Sequence, residues 1–521
     1  MAIQHSAERW SLSPASFAAT RTQNLALLAL AMGPIFEVAG QLKPLYTDNQ
    51  NTKYLHALAH SGFGYLREDW LAHTKDGLPL FTSLLEIIYR TVGSAGFYIG
   101  SFAFYALFVF CALVIYRRLT DGHDISRSGL VVFVATLFVL TAITDVQELV
   151  FRGFAEQYVL AGYFQTADFG VFLFCAVLLF ERRAIGPALL CVVIAAAVHP
   201  AYVAPGATLT AIFGLYEIFY GRGEGAKASF LKLGPCVLGL AALLGISLAI
   251  KFAFAATDPQ AQHEAYHILT AVRIPRHADP TLWLDQNEII QFALCFTAAL
   301  LLPAGRFRFV IRLGSAALVV FTLCAFLPNS DAYRLIAPWR LSVVIVPLAS
   351  IALCTMAIIR LSKTDAFGSA RSRLVFNGSL AAILLCTAVG AAFTIAKFRK
   401  TEPSYAAFVR TNLAPGQLYL TPPERDEFRL LTGAPQYVNF KSHPYQDVEV
   451  LQWYRRLKAS AALYQSYGMD CTQLERLAAE DGVTHVLIAG KTPSPTCDFA
   501  TKIFESGSTK IFLLTVQRSS L

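Results

Sequence analysis

Residues Asp48–Leu85 read DNQNTKYLHALAHSGFGYLREDWLAHTKDGLPLFTSLL, and this polar, aromatic-rich stretch follows directly on the first membrane-length apolar segment of the chain. Loops longer than about 15 residues are uncommon unless they are functional or disordered. The side chains of Phe63, Trp70 and Phe81, together with the leucines, suit folding on a bilayer surface. The stretch therefore predicts a functional loop just outside a membrane.

The composition is that of a membrane protein. Hydrophobic residues make up 55% of the 521 residues, charged residues make up 15%, and the mean hydropathy is +0.49, values beyond those of soluble globular chains. A spanning helix needs about 20 mostly apolar residues. Segments of this kind lie near Gln23–Gly40, Gly96–Tyr116, Gly129–Thr144, Phe164–Phe180, Ala184–His199, Tyr202–Tyr220, Leu231–Ala255, Ile289–Pro303, Phe309–Pro328, Leu341–Leu361 and Leu374–Ala396. We predict a polytopic α-helical membrane protein with about eleven transmembrane helices.

Lysine and arginine predict the orientation, because short cytoplasmic loops collect positive charge. Five basic clusters alternate with loops that are poorer in these residues: Arg117–Arg118 with Arg127, Arg182–Arg183, Arg222–Lys227, Arg306–Arg312 and Arg360–Arg373. They share one side if the N-terminus is cytoplasmic. The tail from Lys397 onward then lies outside, although its own basic cluster Lys397–Lys400 favours the opposite side. We predict a multi-pass protein of the bacterial inner (plasma) membrane with a periplasmic C-terminal domain, and the net charge of +8 reflects topology rather than nucleic-acid binding.

The sequence divides into two predicted domains. Residues 1–400 form the transmembrane domain, whose external loop 41–95 contains interfacial helices, and residues 401–521 form a small extracytoplasmic α/β domain. In this tail, membrane-length runs give way to the strand-like runs QLYLT, QYVNF, THVLIAG and TKIFLLTV. Helical patterns lie between them, near Val448–Tyr464 and at Cys471–Asp481. Val483–Gly490 predicts a buried central strand, and Glu505–Lys510 predicts a hairpin turn.

The cysteines agree with this division. Eight of the ten lie within or at the edges of apolar spans, where a thiol behaves as a small hydrophobe. Cys471 and Cys497 lie in the tail, where an oxidising compartment would allow them to bridge, but two lone cysteines are equally able to stay free. The cysteine spacing predicts no metal site.

Asp48 has two readings that do not exclude each other. It stands where a helix N-cap is expected, before an amphipathic helix with Tyr54, Leu55, Leu58 and Phe63 on its apolar side. It is also a carboxylate just past the first span, where a catalytic group would stand.

The second external loop places Asp145, Glu148 and Arg152 close to the membrane. Glu148 and Arg152 are spaced for a simple i, i+4 ion pair. Ionisable groups at the mouth of a helical bundle also mark substrate or ion paths.

The third external loop, Gln260–Asp285, contains the letters of the metalloprotease motif HExxH at His263, Glu264 and His267. That motif requires a helix in a folded catalytic domain with a further ligand, and an amphipathic loop helix is the simpler explanation. The arginines of this loop and the next, Arg273, Arg276, Arg334 and Arg340, are either interfacial anchors or a combined anion site.

The first loop resembles that of the bacterial integral-membrane GT-C glycosyltransferases, which depend on polyprenyl-phosphate sugars. The resemblance lies in Asp48, Tyr54, His60, Asp69-Trp70-Leu71, Asp76-Gly77-Leu78-Pro79-Leu80 and Leu84-Leu85. These enzymes carry an acidic residue just past span one, a short helix, and a phrase like GDWL…NG.P….PPL before span two. This chain departs from the pattern with Asn49 in place of a second acid and with Arg67-Glu68 in place of the glycine before Asp69.

The resemblance implies a GT-C-like fold and a set of roles. Asp48 is the expected base for the acceptor hydroxyl. The groups expected to bind the lipid-linked sugar donor and its phosphate are Arg273, Arg276, His277, Arg334, Arg340 and Trp70. Asp145 or Glu148 matches the family's second acidic position, and the two are the expected ligands of a divalent cation such as Mg²⁺ or Mn²⁺. The expected partners are the polyprenyl-phosphate-linked sugar and membrane lipids, and no nucleic acid.

Two other functional classes stay open at this point. A transporter or flippase of lipid-linked saccharides would also need a large apolar bundle and external arginines, although such proteins tend to carry inverted repeats, and none is visible here. A non-catalytic membrane assembly protein would use its loops for packing alone.

Overall fold

The computed structural model describes residues 15–123, 127–220, 226–328, 330–364, 369–400, 402–465, 469–490 and 492–516. Within these ranges six helical segments are long and apolar enough to cross a membrane: Ala95–Thr120, Pro200–Tyr220, Leu233–Ala253, Arg306–Ala325, Asp331–Ser362 and Ser372–Phe398. The pair Ser128–Ala142 and Thr144–Phe151, bent by 111°, makes seven if it counts as one span. Shorter apolar helices cover Gln23–Ala39, Ile185–Val198 and Gln286–Leu301. The predicted polytopic helical membrane architecture is confirmed, and the count of eleven spans stays a prediction.

The α-helices follow one another as Ala15–Ala39, Gln50–Lys53, Leu55–His60, Pro79–Val92, Ala95–Thr120, Arg127–Ala142, Thr144–Phe151, Val171–Glu181, Ile185–Val198, Val203–Tyr220, Ala226–Ala253, Pro259–His267, Pro275–Ala278, Pro280–Trp283, Gln286–Leu301, Arg306–Ala325, Asp331–Ile336, Ser342–Ser362 and Ser369–Phe398. Those of the tail are Ser404–Thr411, Phe428–Thr432, Asp447–Gln465 and Cys471–Glu480.

Close helix packing builds the bundle around the first helix. A Cβ atom at Gly33 would lie 2.6 Å from the Cα of Ala106, so glycine is what lets the helices Ala15–Ala39 and Ala95–Thr120 approach. The surface of the bundle stays apolar: Leu238 and Leu374 are 71% and 75% exposed. Exposed leucines on long helices are expected where the solvent is lipid.

Ion pairs join the helix ends that carry several of the basic clusters. The guanidinium of Arg118 lies 3.4 Å from the carboxylate of Glu181, which also accepts a hydrogen bond of 2.9 Å from the amide of Phe307. Arg306 pairs with the buried Glu217 at 2.7 Å. The ends of four predicted spans therefore meet at one end of the bundle, in agreement with the alternation of basic loops.

The first external loop is folded between the bundle and the tail. Tyr54, Leu55 and Leu58 are fully buried, as the amphipathic pattern predicted. The helix Pro79–Val92 buries Phe81 on one side and exposes Leu80, 54% accessible, on another, which suits a helix at a bilayer surface.

The tail contains a four-stranded sheet. Its strands are β1 (Tyr419–Leu420), β2 (His485–Ile488), β3 (Ala500–Ser506) and β4 (Thr509–Leu514), in the order β1-β2-β4-β3. β1 runs parallel to β2, and the other two pairings are antiparallel. The buried central strand, the hairpin turn and both long helices are confirmed as predicted.

The run QYVNF is not a strand, and that prediction is wrong. Apart from one bridge between Gln436 and Tyr419, its backbone bonds elsewhere. The amide of Gln436 donates to the carboxylate of Asp69 at 2.8 Å, and the carbonyl of Asn439 accepts from the indole of Trp453 at 3.0 Å. The segment is therefore held by the first external loop and by a tail helix rather than by the sheet.

A disulfide joins Cys471 to Cys497. It links the start of the helix Cys471–Glu480 to the segment before β3. Of the two possibilities that the sequence left open, the structure has the bridge.

Candidate functional site

Asp48 lies in an irregular turn after the first helix. The backbone is left-handed at Gln41, Tyr46 and Asp48, with φ of 67°, 64° and 56°, a conformation that aspartate tolerates better than most residues. An N-cap needs an extended backbone, so the left-handed turn rules out that role. The predicted capping role is wrong: the helix Gln50–Lys53 begins after Asn49, and the carboxylate of Asp48 turns to two lysines instead.

Two ammonium groups hold the carboxylate of Asp48. Nζ of Lys441 donates to Oδ1 at 2.9 Å, and Nζ of Lys43 lies 3.3 Å from Oδ2. Burial favours the neutral acid, but the hydrogen bond and charge of Lys441, followed by those of Lys43, outweigh it and lower the pKa of Asp48 below its usual value. Asp48 is therefore ionised at neutral pH, and its side chain remains 40% exposed.

Arg273 holds Lys441 in place. Its Nη2 and Nε atoms donate to the carbonyl oxygen of Lys441 at 2.6 and 3.1 Å, and the hydroxyl of Thr52 donates to the same oxygen at 3.1 Å. Its guanidinium also lies 5.5 Å from the centre of the Phe440 ring. Arg273 was predicted to bind a phosphate, but these donors are committed to the backbone that presents Lys441.

A polar cavity of about 380 Å³ opens beside Asp48. Its walls come from the turn after the first helix, the bend between the helices Arg127–Ala142 and Thr144–Phe151, the end of the helix Ser369–Phe398, and the tail. Four cations and two carboxylates line it: Lys43, Arg152, Lys397, Lys441, Asp48 and Glu156. The excess of positive charge makes the cavity suitable for an anion.

An apolar crevice adjoins this cavity. The two share Thr141, Gln147, Arg152 and Leu160 as lining residues. Below them, the crevice is lined mainly by apolar side chains of the bundle: Phe36, Tyr105, Phe108, Phe151, Val159, Phe174, Val343 and Pro347. The charged cavity is therefore continuous with the apolar crevice, and Arg152 lies at the junction.

His277 lines the cavity with Asp48, as the sequence analysis placed it in the site. Its Nδ1 lies 2.6 Å from the carbonyl oxygen of Ala155. Burial lowers the pKa of His277 below its usual value, because it outweighs the hydrogen bond to Ala155, which raises that pKa; the charges of Arg340 and Arg273 lower it further. The neighbouring Arg276 does not line the cavity, but its guanidinium lies 3.5 Å from the carboxylate of Glu156, which does.

Arg334 and Arg340 do not line this cavity, so the structure does not bring the four arginines into one anion site there. Nε of Arg334 donates to the carbonyl of Ala325 at 3.3 Å. Nη1 of Arg340 is 2.8 Å from Nε2 of His199, which follows the helix Ile185–Val198. Both arginines bind their own bundle.

The predicted metal pair is not assembled as a metal centre. The carboxylate of Glu148 forms the i, i+4 ion pair with Arg152 at 2.8 Å, and Asp145 is exposed on the same helix. In the described ranges no group of three His, Cys, Asp or Glu side chains is placed to hold a metal. A divalent cation held by Asp145 and Glu148, with water as its remaining ligands, stays a prediction.

The HExxH letters lie on the helix Pro259–His267. His267 pairs through Nδ1 with Asp331 at 3.3 Å. The absence of a three-ligand group among the described residues applies here too, and the interpretation as an amphipathic loop helix is the better one.

A buried clasp fixes the tail to the first loop. Asp69 and Arg429 are 0% and 2% exposed, and Nε of Arg429 lies 2.6 Å from Oδ2 of Asp69. The carboxylate also accepts from the amides of Gln436 at 2.8 Å and Leu71 at 2.9 Å. Trp70, predicted to bind the donor, lies outside the cavity, with the guanidinium of a tail arginine 4.6 Å above its ring. The Asp69-Trp70-Leu71 phrase is therefore a docking element for the tail.

The sequence analysis did not assign Lys43, Lys441, Lys397 or Glu156 to the site. Lys43 lies only five residues before Asp48, so its proximity was a usable signal. Lys441 follows Asp48 by 393 residues, and no local pattern connects them. The ammonium of Lys397, which was read as a weak topology signal, lies 3.0 Å from the side-chain oxygen of Gln41 at the cavity wall.

Comparison with known proteins gives one family match and several structural similarities. Residues 401–460 match a family described as a domain of unknown function, DUF6798, and this segment includes Arg429 and Lys441. No curated protein matches the chain.

The structure is similar to the crystal structure of ArnT from Cupriavidus metallidurans bound to undecaprenyl phosphate, with 12% identity and a TM-score of 0.47 over 96% of this chain and 98% of that one. It is also similar to the cryo-EM structure of the arabinosyltransferase EmbB from Mycobacterium smegmatis, with 14% identity and a TM-score of 0.37. That match covers 97% of this chain and 47% of EmbB, so the chain spans about half the length of that protein. We base the function on the site itself.

Proposed function

We propose that this chain is a membrane glycosyltransferase that moves a sugar from a polyprenyl-phosphate carrier to an extracytoplasmic acceptor, which is a glycan, a lipid or a protein. The observation that carries the proposal is the ionised Asp48, held between Lys43 and Lys441 in a cationic cavity that continues into an apolar crevice.

The cationic cavity suits the phosphodiester of such a donor, and the apolar crevice suits its polyprenyl chain. A phosphodiester needs cations and hydrogen-bond donors, which Lys43, Arg152 and Lys441 supply. The first units of a polyprenyl chain need an apolar surface. The crevice below Arg152 is apolar but, at about 30 Å³, is smaller than one isoprene unit, so its side chains would have to move apart to admit the chain. The phosphate would therefore sit near the junction of the cavity and the crevice, with the sugar directed toward Asp48.

The reaction uses Asp48 as general base. The acceptor hydroxyl gives its proton to the carboxylate, its oxygen forms the new bond to the anomeric carbon, and the bond from that carbon to the phosphate oxygen breaks. The electron pair leaves with the polyprenyl phosphate, whose added negative charge is stabilised by the lysines and Arg152.

Donor binding should also change the pKa of Asp48. In the free protein both lysines bind Asp48 and lower its pKa, which makes the carboxylate a weak base. A bound phosphate shares those ammonium groups and adds negative charge nearby, so the pKa of Asp48 rises when the donor arrives. Asp48 thereby becomes a stronger base only in the loaded site.

The proposal also includes the location of the chain and the residues for a divalent cation. The cavity, the first loop and the tail lie together, and the basic clusters lie at helix ends of the bundle. We place the tail in the periplasm of a bacterium, the N-terminus in the cytoplasm and the spans in the inner membrane. If a divalent cation takes part, Asp145 and Glu148 would hold it and it would help to neutralise the leaving phosphate.

Asp48→Asn tests the role of the carboxylate. It keeps the size and a hydrogen-bond acceptor for Lys441 but removes the base, so transfer from radiolabelled polyprenyl-phosphate sugars in proteoliposomes should fall by about 10²–10⁴-fold. Asp121→Asn, an exposed acid in another loop, is the matched control. Undiminished transfer by the Asp48 variant would refute the role of Asp48. Movement of intact lipid-linked saccharide across the bilayer without transfer would instead favour a flippase.

A further inference from the structure

The tail domain contains a second cavity, an open groove of about 660 Å³ that the proposed chemistry does not use. Its lining combines two aromatic rings, Phe440 and Tyr464, with two carboxylates, Glu424 and Asp426. Lys441 lines this groove as well as the Asp48 cavity. The two spaces are therefore neighbours that share one side chain as a wall.

The loop that carries Asp48 contacts two of the residues that line the groove, Asp426 and Lys441. Nδ2 of Asn51 lies 3.4 Å from Oδ2 of Asp426, and Asn51 is three residues from Asp48. Nζ of Lys441 reaches Asp48 while its backbone is fixed from the loop side. A molecule in the groove would thus lie against the same short segment that presents the base.

The lining has the chemistry of a saccharide site. Phe440 is 39% exposed and offers a flat apolar face. The hydroxyl oxygen of Tyr464 lies 3.1 and 2.7 Å from the carbonyl oxygens of Leu420 and Leu487, and its one proton is donated to this pair, so a ligand would meet the ring rather than the hydroxyl. The C–H face of a sugar ring packs on such aromatic surfaces, and sugar hydroxyls donate to carboxylates.

Charge separates this groove from the first cavity. Two carboxylates face one lysine here, whereas cations dominate around Asp48. Burial, partly offset by the hydrogen bond from Asn51, raises the pKa of Asp426 above its usual value, yet the side chain accepts hydrogen bonds in either state. A phosphate would be repelled, and a neutral polyol would not.

We propose that this groove binds a neutral, hydroxyl-rich saccharide, and that in the transfer reaction this saccharide is the acceptor, with one hydroxyl directed past Lys441 to Asp48. The assignment as acceptor rests on the proposed function; saccharide binding itself does not.

The test uses the full chain in lipid nanodiscs, applied to a printed array of neutral oligosaccharides, with Asp426→Asn and Phe440→Leu as the variants. Asp426→Asn preserves side-chain volume, and Phe440→Leu keeps an apolar side chain but removes the flat aromatic face. Removing one charged hydrogen-bond acceptor should weaken binding of the arrayed glycan by about 10- to 100-fold. Glu475→Gln, an exposed acid on the helix Cys471–Glu480, should bind as the wild type does. If no arrayed glycan binds better to the wild type than to the two variants, the groove is not a saccharide site.

Transfer kinetics separate this inference from the proposed function. Asp426→Asn and Phe440→Leu should raise the acceptor KM and leave the donor KM unchanged, because neither residue lines the donor cavity. Asp48→Asn should lower transfer by about 10²–10⁴-fold and keep glycan binding. If the chain binds glycan but transfers no sugar, saccharide binding by the groove would be supported and the proposed transferase function would be refuted. Transfer with an unaltered acceptor KM in both groove variants would overturn the groove's role as acceptor site.

Discussion

The clasp between Asp69 and Arg429 gives the sharpest stability prediction. Both side chains are essentially inaccessible, and the carboxylate accepts three hydrogen bonds, from Arg429, Gln436 and Leu71. Asp69→Leu leaves a buried guanidinium without its counter-charge, which costs about 3–5 kcal/mol. The equilibrium constant for docking of the tail on the first loop should then fall by a factor of about 10² to 10³·⁵.

Hydrogen–deuterium exchange on the full chain in nanodiscs measures this directly. Protection of the amides in residues 64–77 and 428–442 should fall by that factor, while amides of the buried helix Ser342–Ser362 should not change. The double variant Asp69→Leu with Arg429→Met should recover most of the lost protection, because it removes both buried charges. Arg476→Met, which breaks an exposed i, i+4 pair within the tail, is the control.

The reasoning would be refuted by Asp69→Leu retaining wild-type protection in both segments. A double variant as unprotected as the single one would show that the shape of the clasp, rather than its charge balance, holds the tail.

Three further predictions concern charge, topology and the disulfide. Lys441→Met should shift the acid limb of the transfer pH profile to higher pH, because Lys441 lowers the pKa of Asp48 and its loss lets that pKa rise. In the wild type, the ionised Asp48 contributes stability above its ordinary pKa of 3.8, and that contribution is lost as pH falls through the lowered pKa. An unmoved acid limb would show that Lys441 does not control the ionisation of Asp48. Alkaline phosphatase fused after Gln417 should be active and a fusion after Arg183 inactive, and the reverse pattern would invert the topology. Replacing Cys471 and Cys497 with serine opens a loop of 26 residues and should cost the tail about 3 kcal/mol; unchanged proteolytic resistance of the tail would contradict this.

Local sequence patterns predicted much of the tail. The helix Cys471–Glu480 has an amphipathic period and an N-cap, Asp470, whose side chain accepts from the amide of Thr472 at 2.9 Å. β2 was recognised as a short apolar run between turn residues. Such elements are set by neighbours within a few residues, so the sequence is sufficient to find them.

The partners within the site depend on distant contacts, and the sequence was insufficient there. Asp48 was found through the family resemblance, but the left-handed backbone that removes it from the capping position has no sequence signature beyond tolerance for aspartate. Arg273 was correctly placed near the site, but whether a guanidinium binds a ligand or a backbone carbonyl depends on tertiary packing. Lys441 had no local signal at all.

Because Lys441 follows Asp48 by 393 residues, the ribosome makes the two partners of this ion pair at different times. At a translation rate of about 5–20 residues per second, the lysine is made about 20–80 s after the carboxylate. During that interval the nascent chain already contains its first apolar helix and Asp48 but lacks the tail. The cation that orients the base arrives only with the tail. A chain that ends before residue 441 therefore has Asp48 without one of the two lysines that bind it.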